Sequence, residues 1–466
     1  MPEPEENTEV TSHQPHELIE VDDELMLDIA DLVRSKSDFL LLNIIQDVYP
    51  ADIAHIMNRL ENEQAEYVFG LLPDDVAGET MLSLDQVQRE HVLSRLDRVR
   101  LQQIVSKMAS DDAADIVGEL SQEKAQDLLE TLGVQESSRV EELLHYDEST
   151  AGGIMAKELA AVNQKDTVKK AIKQVREFAK THKNVYSVYI VDDNGILVGF
   201  IPLQDLLIHA PNRRVHKIMS QDIISVTTDV DQEEVARVFK KYGVVAIPVT
   251  DKAGKLLGRI TVDDIVDVIE EEHDEDVARM TGSEVVELEK RSPTQIAFMR
   301  LPWVLITLVL EMFAGVVVHQ FDKTLSSVIL LASFMPIISA ISGNTGLQSA
   351  AVIVRGIATG HIDVKRWWLP IWRQFQTTLI IGAVCGTVIG VVGGVWHAKA
   401  VFGFVVGISM FISVNISGVV GTATPMLSHR LGFDPAITAG PFETAFQDVV
   451  GITIFLSIAT LLLQWL

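Results

Sequence analysis

The chain has 466 residues and a formal net charge of −27, and this charge is spread unevenly along its length. Of its 38 basic and 65 acidic residues, positions 300–466 hold eight and six, which leaves 30 and 59 in the first 299 positions. So acidic a segment repels nucleic acid and attracts cations, which excludes a nucleic-acid-binding protein. The single cysteine, Cys385, excludes an internal disulfide and a thiolate metal cluster.

The first 150 residues combine a polar lead-in with a regular repeat. Residues 1–24 have no basic start and no apolar core, so they predict a disordered acidic terminus rather than a signal peptide. In residues 25–150 an apolar residue recurs every twelve positions, separated by short polar starts and apolar stretches of helical character. This period predicts an all-α helical-repeat domain of stacked short helices. The recurring positions are Leu60, Leu72, Leu84, Leu96, Met108, Leu120 and Leu132.

Two copies of one α/β pattern follow, in residues 151–212 and 213–270. Each copy runs through a helix, a stretch rich in β-branched residues, a glycine turn and a final helix. In the first copy, Asn194 and Gly195 after alternating β-branched residues predict a hairpin turn. The pattern resembles a tandem CBS pair, a small module that senses ligands. Positions that correspond at an offset of 59 residues are Gly195 and Gly254, Gly199 and Gly258, and Asp205 and Asp264.

Residues 264–292 predict a long acidic connecting helix followed by a linker. From Asp263 to Asp276 the sequence has no glycine or proline, and its polar positions are almost all acidic. Like charges three or four residues apart on a helix repel by about 0.2–0.5 kcal/mol per pair. We therefore expect this helix to need a counterion or a basic partner.

Residues 300–466 predict a transmembrane domain of five helices, because their apolar stretches are long enough to cross about 30 Å of hydrocarbon. One set of loops holds most of the basic residues, and the other holds Lys323 and Lys399. The positive-inside tendency predicts an inner-membrane protein with cytoplasmic amino-terminal domains and the carboxyl terminus outside. The spans are expected at about 301–319, 324–354, 369–396, 400–427 and 435–466, and the basic residues of the cytoplasmic side are Arg300, Arg355, Lys365, Arg366, Arg373 and Arg430.

Small and polar residues mark specific faces of these spans. The segment 342–349, which contains Asn344, is polar and rich in glycine at membrane depth. Such a run persists only where it is buried in protein or lines water, and we favour a pore wall. Small residues at helical spacing in the third and fourth spans predict close packing between helices. These are Gly382, Gly386, Gly390 and Gly394 in the third span and Ser409, Ser413, Ser417 and Gly421 in the fourth.

The fifth span carries a carboxylate in mid-membrane. Asp434 and the proline after it predict the start of a helix. Spacings of four, four and three place Gly440, Thr444, Asp448 and Gly451 on one face. An intramembrane carboxylate is costly and is a functional candidate by default. Because the spans offer no lysine or arginine at mid-depth, Asp448 is expected to face water and cations.

Two further acids lie within the spans. Glu443, about 140° around the helix from Asp448, is expected at the pore wall or near its mouth. Glu311 in the first span is open to two readings: a site for a proton or another ion, or a hydrogen bond to a neighbour.

Together these features resemble the MgtE family of Mg²⁺ channels over nearly the whole chain. The resemblance rests on Arg-Leu-Pro-Trp at 300–303, on the segment 342–349 and on the fifth-span pattern Asp-Pro…Gly-Pro-Phe…Gln-Asp-Val. It implies a homodimer in the lipid bilayer, with a pore on the two-fold axis. It also implies passive Mg²⁺ influx down the membrane potential, with Asp448 of each subunit as the filter. The pore residues expected are Asp448, Thr444, Gly440 and Asn344.

The resemblance also implies that Mg²⁺ is a regulator as well as the cargo. Cytoplasmic Mg²⁺ would close the pore by bridging the helical domain, the second CBS repeat, the connecting (plug) helix and the entrance of the last span. The family's pattern can carry an acid at the position of Gly243, where this chain has none. The expected ligands are Glu79, Asp111, Asp115, Asp231, Glu233, Asp264, Asp267, Glu272, Glu275, Asp276 and Asp434.

Three alternatives stand beside the channel. A proton- or ion-coupled transporter of divalent cations would use Glu311 or Glu443 as its coupling site. A nucleotide-sensing module would bind ATP at the CBS pair, and this could coexist with a channel. An enzyme is disfavoured because the sequence has no paired base and nucleophile, no His or Cys metal cluster and no GxxxxGK[ST] phosphate loop.

Overall fold

The chain folds into two compact units. The first holds residues up to 235 together with 242–265, and the second holds 236–241 with the residues from 266 onward. All but two residues of the predicted acidic lead-in lie outside the part of the chain that is described. This structure is a computed structural model, and it describes residues 23–46, 48–180, 185–281 and 292–465.

The predicted helical-repeat domain is a series of short α-helices of eight to twelve residues. Leu60, Leu72 and Leu132 each follow the last residue of a helix and are buried. The twelve-residue period is therefore one helix plus its link, with an apolar side chain closing the helix end against the core. The helices are α1 (Asp23–Arg34), α2 (Asp38–Ile45), α3 (Pro50–Arg59), α4 (Asn62–Leu71), α5 (Asp74–Leu82), α6 (Gln86–Arg95), α7 (Arg98–Val105), α8 (Ser110–Gly118), α9 (Gln122–Thr131) and α10 (Val134–Leu143).

The two CBS repeats each form a three-stranded sheet, in which the first pair of strands is parallel and the second pair antiparallel. The predicted hairpin turns occur at Gly195 and Gly254, with φ of +81° and +84°. Asp192 Oδ1 accepts the backbone N–H groups of Asn194 and Ile196 and so fixes the first turn. The elements are β1 (Ala161–Asn163), α11 (Val168–Phe178), β2 (Ser187–Val191), β3 (Leu197–Pro202), α12 (Leu203–Ile208), β4 (Val226–Thr227), α13 (Gln232–Tyr242), β5 (Ala246–Thr250) and β6 (Leu256–Thr261).

The connecting helix is α14 (Val262–Thr281), twenty residues without interruption. Asp264 Oδ2 accepts the backbone N–H of Thr261 at 2.9 Å and its hydroxyl at 2.7 Å, which fixes the first turn. Residues 282–291, which belong to the predicted linker, lie outside the described residues.

Five helices are long and apolar enough to cross a membrane, as predicted. Two predicted spans are interrupted rather than continuous. A short helix and a 3-10 turn precede α17, and a break at Gly440 divides the last span in two. The elements are α15 (Pro293–Gln320), α16 (Asp322–Ser327), α17 (Met335–Ala358), α18 (Trp368–Trp396), α19 (Ala400–Arg430), α20 (Pro435–Thr438) and α21 (Pro441–Leu461).

The small-residue faces bring helices into backbone contact. A Cβ added at Gly386 would lie 2.6 Å from the carbonyl oxygen of Gly407, and one added at Gly407 would lie 2.7 Å from that of Gly386. Larger residues would therefore force α18 and α19 apart. Ser409, Ser413 and Ser417 are buried on α19, which packs against α17, α18 and α21.

Candidate functional site

A cavity of about 520 Å³ lies between α17 and α21. Asp448 and Thr444 line it from α21, and Asn344 and Ser339 line it from α17. A Cβ added at Gly343 of α17 would lie 3.9 Å from Asp448 Oδ1, so the glycine-rich face of α17 is turned toward the carboxylate. Three residues predicted at the pore, Asp448, Thr444 and Asn344, thus line the same cavity.

Asp448 is in contact with a hydroxyl and with a second carboxyl. Ser339 Oγ donates a hydrogen bond to Asp448 Oδ1. The side chain of Glu311 is in hydrogen-bonding contact with Asp448, and their helices α15 and α21 pack together. Glu311 therefore lies beside Asp448, and both readings of its role stay predictions.

Glu443, which the sequence predicts at the pore wall or near its mouth, does not line this cavity. It is 1% exposed and accepts a hydrogen bond of 2.7 Å from Gln447 Nε2 on the same helix. Gly346 of α17 leaves room for it, since a Cβ there would lie 2.9 Å from Glu443 Oε1.

Gly440 does not line the cavity. It is the residue directly before α21, at the break in the last span. A Cβ added to it would lie 2.6 Å from the carbonyl oxygen of Met280, at the end of α14. Met280 also packs against the buried Ala350, Ala436 and Ala439. The end of the connecting helix therefore packs directly against the backbone at Gly440, and a side chain at that position would collide with it.

An arginine joins this end of α14 to the entrance of the last span. Arg279 forms ion pairs with Glu275 on its own helix and with Asp434. Asp434 also caps α20 by accepting the Ala436 N–H at 2.7 Å. Two acids that the resemblance assigned to Mg²⁺ are thus paired with a guanidinium, and Arg279 is the one lysine or arginine of residues 262–281.

Asp276 lies in the same group of charges. Burial, followed by the negative charges of Asp434 and Glu272, raises its pKa from 3.8 to about 6, although Arg279 acts in the opposite direction. The positive charge of Arg279 therefore does not offset the negative charges of the acids around Asp276.

A second group of acids lies within the first unit. Burial and then the charges of Asp264 and Asp115 raise the pKa of Asp112 from 3.8 to about 7. Burial and the charge of Asp112 raise the pKa of Asp111, which is 7% exposed. Burial also raises the pKa of Asp264, although hydrogen bonds from Thr261 oppose the shift. These carboxylates of α8 and the start of α14 thus lie close enough to repel one another.

The sequence analysis missed Asp112, although its position beside Asp111 was a usable signal. The remaining predicted ligands are more dispersed: Asp231 accepts the backbone N–H of Glu233 at 2.9 Å at the start of α13. Among the described residues, no group of three or more His, Cys, Asp or Glu side chains is arranged to hold a metal ion directly. Exposed on their elements are Glu79, Asp231 and Asp267, and half-buried are Glu233 and Glu272.

A helical membrane domain with a carboxylate on a cavity wall, joined to an acidic region that contains a CBS pair, is the architecture of a cation-transport protein. Residues 335–458 match the MgtE model, described as a divalent cation transporter. Residues 48–149 match the MgtE intracellular N domain, and 151–211 and 215–271 match the CBS domain. The chain belongs to the MgtE family of magnesium transporters, which confirms the predicted family and fold class and makes its function transport rather than catalysis.

Relatives support this membership over the whole length. The chain is 33% identical to the magnesium transporter MgtE of Bacillus subtilis, over 94% of this chain and 97% of that protein. It is 32% identical to the MgtE of Thermus thermophilus, over 95% and 100%. It is also similar to a crystal structure of the cytosolic domain of the Mg²⁺ channel MgtE in complex with ATP, with 32% identity and a TM-score of 0.50 over 52% of this chain and 99% of that one.

Proposed function

We propose that the chain is a channel that conducts Mg²⁺ passively, with the Asp448 cavity forming part of its pore. The observation that carries the proposal is the position of Asp448 on a cavity wall with Asn344 and Thr444, within helices long and apolar enough to span a membrane. Mg²⁺ gives up water reluctantly and prefers oxygen ligands. Carboxylate, amide and hydroxyl oxygens can hold such an ion through retained water, so directly spaced ligands are not required.

The functional unit is a homodimer with its amino-terminal domains in the cytoplasm and its carboxyl terminus outside. One chain contributes one Asp448 to the cavity. A two-fold axis at this cavity would bring two carboxylates together and match the charge of one divalent cation.

The membrane potential is a sufficient driving force. A potential of 100 mV is worth about 2.3 kcal/mol per charge, hence about 4.6 kcal/mol for Mg²⁺. This corresponds to a concentration ratio of more than about a thousandfold. No coupled ion is needed.

Uptake into liposomes that contain the full-length chain tests this proposal. At equal pH on both sides, Mg²⁺ uptake should rise with an imposed inside-negative potential. Uptake that stops at fixed potential when the pH gradient is removed would instead favour the proton-coupled transporter. The contact between Glu311 and Asp448 makes that alternative specific, since Glu311 would be its coupling site.

We further propose that cytoplasmic Mg²⁺ closes this pore through the connecting helix. The end of α14 rests on Gly440 and is paired with Asp434, both at the entrance of the last span. Mg²⁺ bound by the mutually repelling acids of α8 and the start of α14, around Asp112 and Asp264, would hold the beginning of the same helix. Such binding stabilises the closed arrangement by mass action.

Limited proteolysis of the full-length chain tests this gating. Saturating Mg²⁺ should slow cleavage of α14 relative to EDTA, and Asp112→Asn together with Asp264→Asn should remove most of that protection. Asp28→Asn, which neutralises an exposed acid of α1, is the matched control and should keep it. Equal cleavage in Mg²⁺ and EDTA would refute the gating proposal.

ATP at the CBS pair is a further part of the proposal. Its support is the similar cytosolic domain whose crystal structure contains ATP. Equilibrium binding of ATP to the purified full-length chain tests this proposal. The absence of saturable binding would refute it.

A further inference from the structure

A polar network on one side of α21 has no part in the proposed conduction path. Gln447 Nε2 donates to Glu443 Oε1 at 2.7 Å and to the backbone oxygen of Ser417 at 3.4 Å. Ser417 Oγ in turn donates to the backbone oxygen of Ser342. Glu443 and Gln447 are each 1% exposed. Through these bonds α21 is tied to α19, and α19 is tied to α17.

A glycine on α17 makes room for this network. A Cβ added at Gly346 would lie 2.8 Å from Ser417 Oγ and 2.9 Å from Glu443 Oε1. Any side chain at that position would displace one of these oxygens. The buried carboxyl of Glu443 therefore lies between Gly346 of α17 and Gln447 of its own helix, and Gln447 carries the bond to α19.

The network is not arranged for maximal stability. Glu443 Oε2 has no hydrogen-bond partner in the described part of the chain. Its other oxygen, Oε1, accepts the hydrogen bond from Gln447. A buried polar group with unmatched hydrogen-bonding capacity is less favourable than an apolar side chain of similar size. Buried polar groups can nevertheless select one arrangement where apolar contacts would allow several.

We propose that Glu443 and Gln447 are positioning residues of the pore that fix the rotation of α21 about its axis. Thr444 and Asp448 each follow a network residue directly, and one residue turns an α-helix by about 100°. Gln447 bonds the Ser417 carbonyl of α19, and Glu443 holds the Gln447 amide while it packs beside Gly346 of α17. Keeping this side of α21 against α17 and α19 turns Thr444 and Asp448 toward the cavity. This inference rests on the proposed conduction through that cavity.

Cysteine labelling tests the rotation without measuring transport. In the full-length chain with Cys385→Ser, the labelling rate of Thr444→Cys by a small water-soluble thiol reagent is compared with that of Ala445→Cys. Thr444 lines the cavity, whereas Ala445 is 2% exposed. In the intact network the ratio of the two rates should be high, because only the first position faces water.

The network variants should lower this ratio. Loss of one buried hydrogen bond changes an equilibrium between orientations by about five- to tenfold. Gln447→Leu loses the bond to the Ser417 carbonyl of α19 and should lower the ratio by about that factor. Glu443→Leu removes the acceptor that holds the Gln447 amide and should lower the ratio in the same direction, whereas Glu443→Gln, which keeps an accepting oxygen, should preserve it. Thr453→Val is the matched control, since Thr453 Oγ1 bonds only the Val449 carbonyl of its own helix.

An unchanged ratio in both leucine variants would overturn the proposal. A lower melting temperature with both rates raised together would also overturn it, because the network would then only stabilise the fold. If the wild-type chain carries no Mg²⁺, the proposed function fails, while the labelling ratio still decides whether these residues set the rotation.

Discussion

Acidic residues are arranged differently in the two units of the molecule. In the first unit Asp112 lies among other carboxylates, and burial and their charges raise its pKa to about 7. Among the membrane helices Asp448 and Glu443 each have a polar neighbour of their own, the Ser339 hydroxyl and the Gln447 amide. In the first arrangement carboxylates repel one another. In the second a neutral side chain donates a hydrogen bond to each carboxyl, and Asp448 also contacts Glu311.

The number of acidic residues in a region therefore does not show whether it is a cation site. A cluster of mutually repelling carboxylates gains stability from any cation that enters, which suits a sensor. The Asp448 carboxylate lies on a cavity wall, where the Ser339 hydroxyl and Glu311 contact it. This arrangement suits passage, because it offers charge without enclosing the ion. Three variants test this distinction, and they are ordered from the largest expected effect to the smallest.

Asp112→Asn should have the largest effect, on stability in EDTA. A carboxyl whose pKa is raised from 3.8 to about 7 binds more protons in the folded than in the unfolded chain. The free energy of unfolding therefore falls as pH rises from about 4 to about 7, by on the order of 4 kcal/mol. The variant removes this penalty, so it should melt higher than wild type at pH 8 and at the same temperature near pH 4.

The control for this prediction is Asp28→Asn, which should leave the melting temperature unchanged at both pH values. Millimolar Mg²⁺ should reduce the difference in melting temperature between Asp112→Asn and wild type at pH 8. In the wild type the cation then neutralises the carboxylate that a proton neutralises at lower pH. A variant that is destabilised equally at both pH values would show that Asp112 is not repelled by its neighbours.

Arg279→Ala should have an intermediate effect, on gating. It removes partly exposed ion pairs to Asp434 and Glu275, worth about 1–2 kcal/mol. The Mg²⁺ concentration that halves flux should therefore rise by about tenfold, because the end of α14 is held less firmly. Flux into liposomes over a range of Mg²⁺ concentrations on the cytoplasmic side measures this shift.

Two further variants sharpen this prediction. Arg279→Lys keeps the charge and should shift the closing concentration less, and Arg176→Ala, at an exposed position of α11, should not shift it. Closing curves that superimpose for Arg279→Ala and wild type would mean that this ion pair has no part in closure.

Ser339→Ala should have the smallest effect, on conduction. It removes the hydroxyl that donates to Asp448 Oδ1, and a buried hydrogen bond of this kind is worth about 1 kcal/mol. Mg²⁺ flux should fall by about fivefold without a change in the Mg²⁺ concentration that closes the pore. A change in closing concentration with unchanged flux would place Ser339 in gating instead.

Much of the fold could be predicted from the sequence, because its periods are local. The recurrence of Leu60 and Leu72 marks helix ends, and Gly195 marks a turn that requires positive φ. The break in the last span was missed because the composition stays apolar across it. Pro441, which stands at the first position of α21, was the available signal, since proline is favoured at helix starts.

The site could be predicted only as far as one helix determines it. The spacing of Thr444 and Asp448 placed them on a common face, and both line the cavity. The same helical geometry could not reveal what Glu443 packs against, because that depends on α17 and α19. The pairing of Arg279 with Asp434 joins residues 155 positions apart, and no local pattern contains it.

The most direct test of the central claim is current recording from the full-length chain in a planar bilayer, with Mg²⁺ as the only permeant cation. If Asp448 lines the conduction path, the wild-type chain should give discrete current steps that reverse at the Mg²⁺ equilibrium potential and do not depend on a pH gradient. These steps should disappear in Asp448→Ala while the dimer stays assembled. Steps of undiminished amplitude in Asp448→Ala would contradict the claim, because the conduction path would then lie elsewhere.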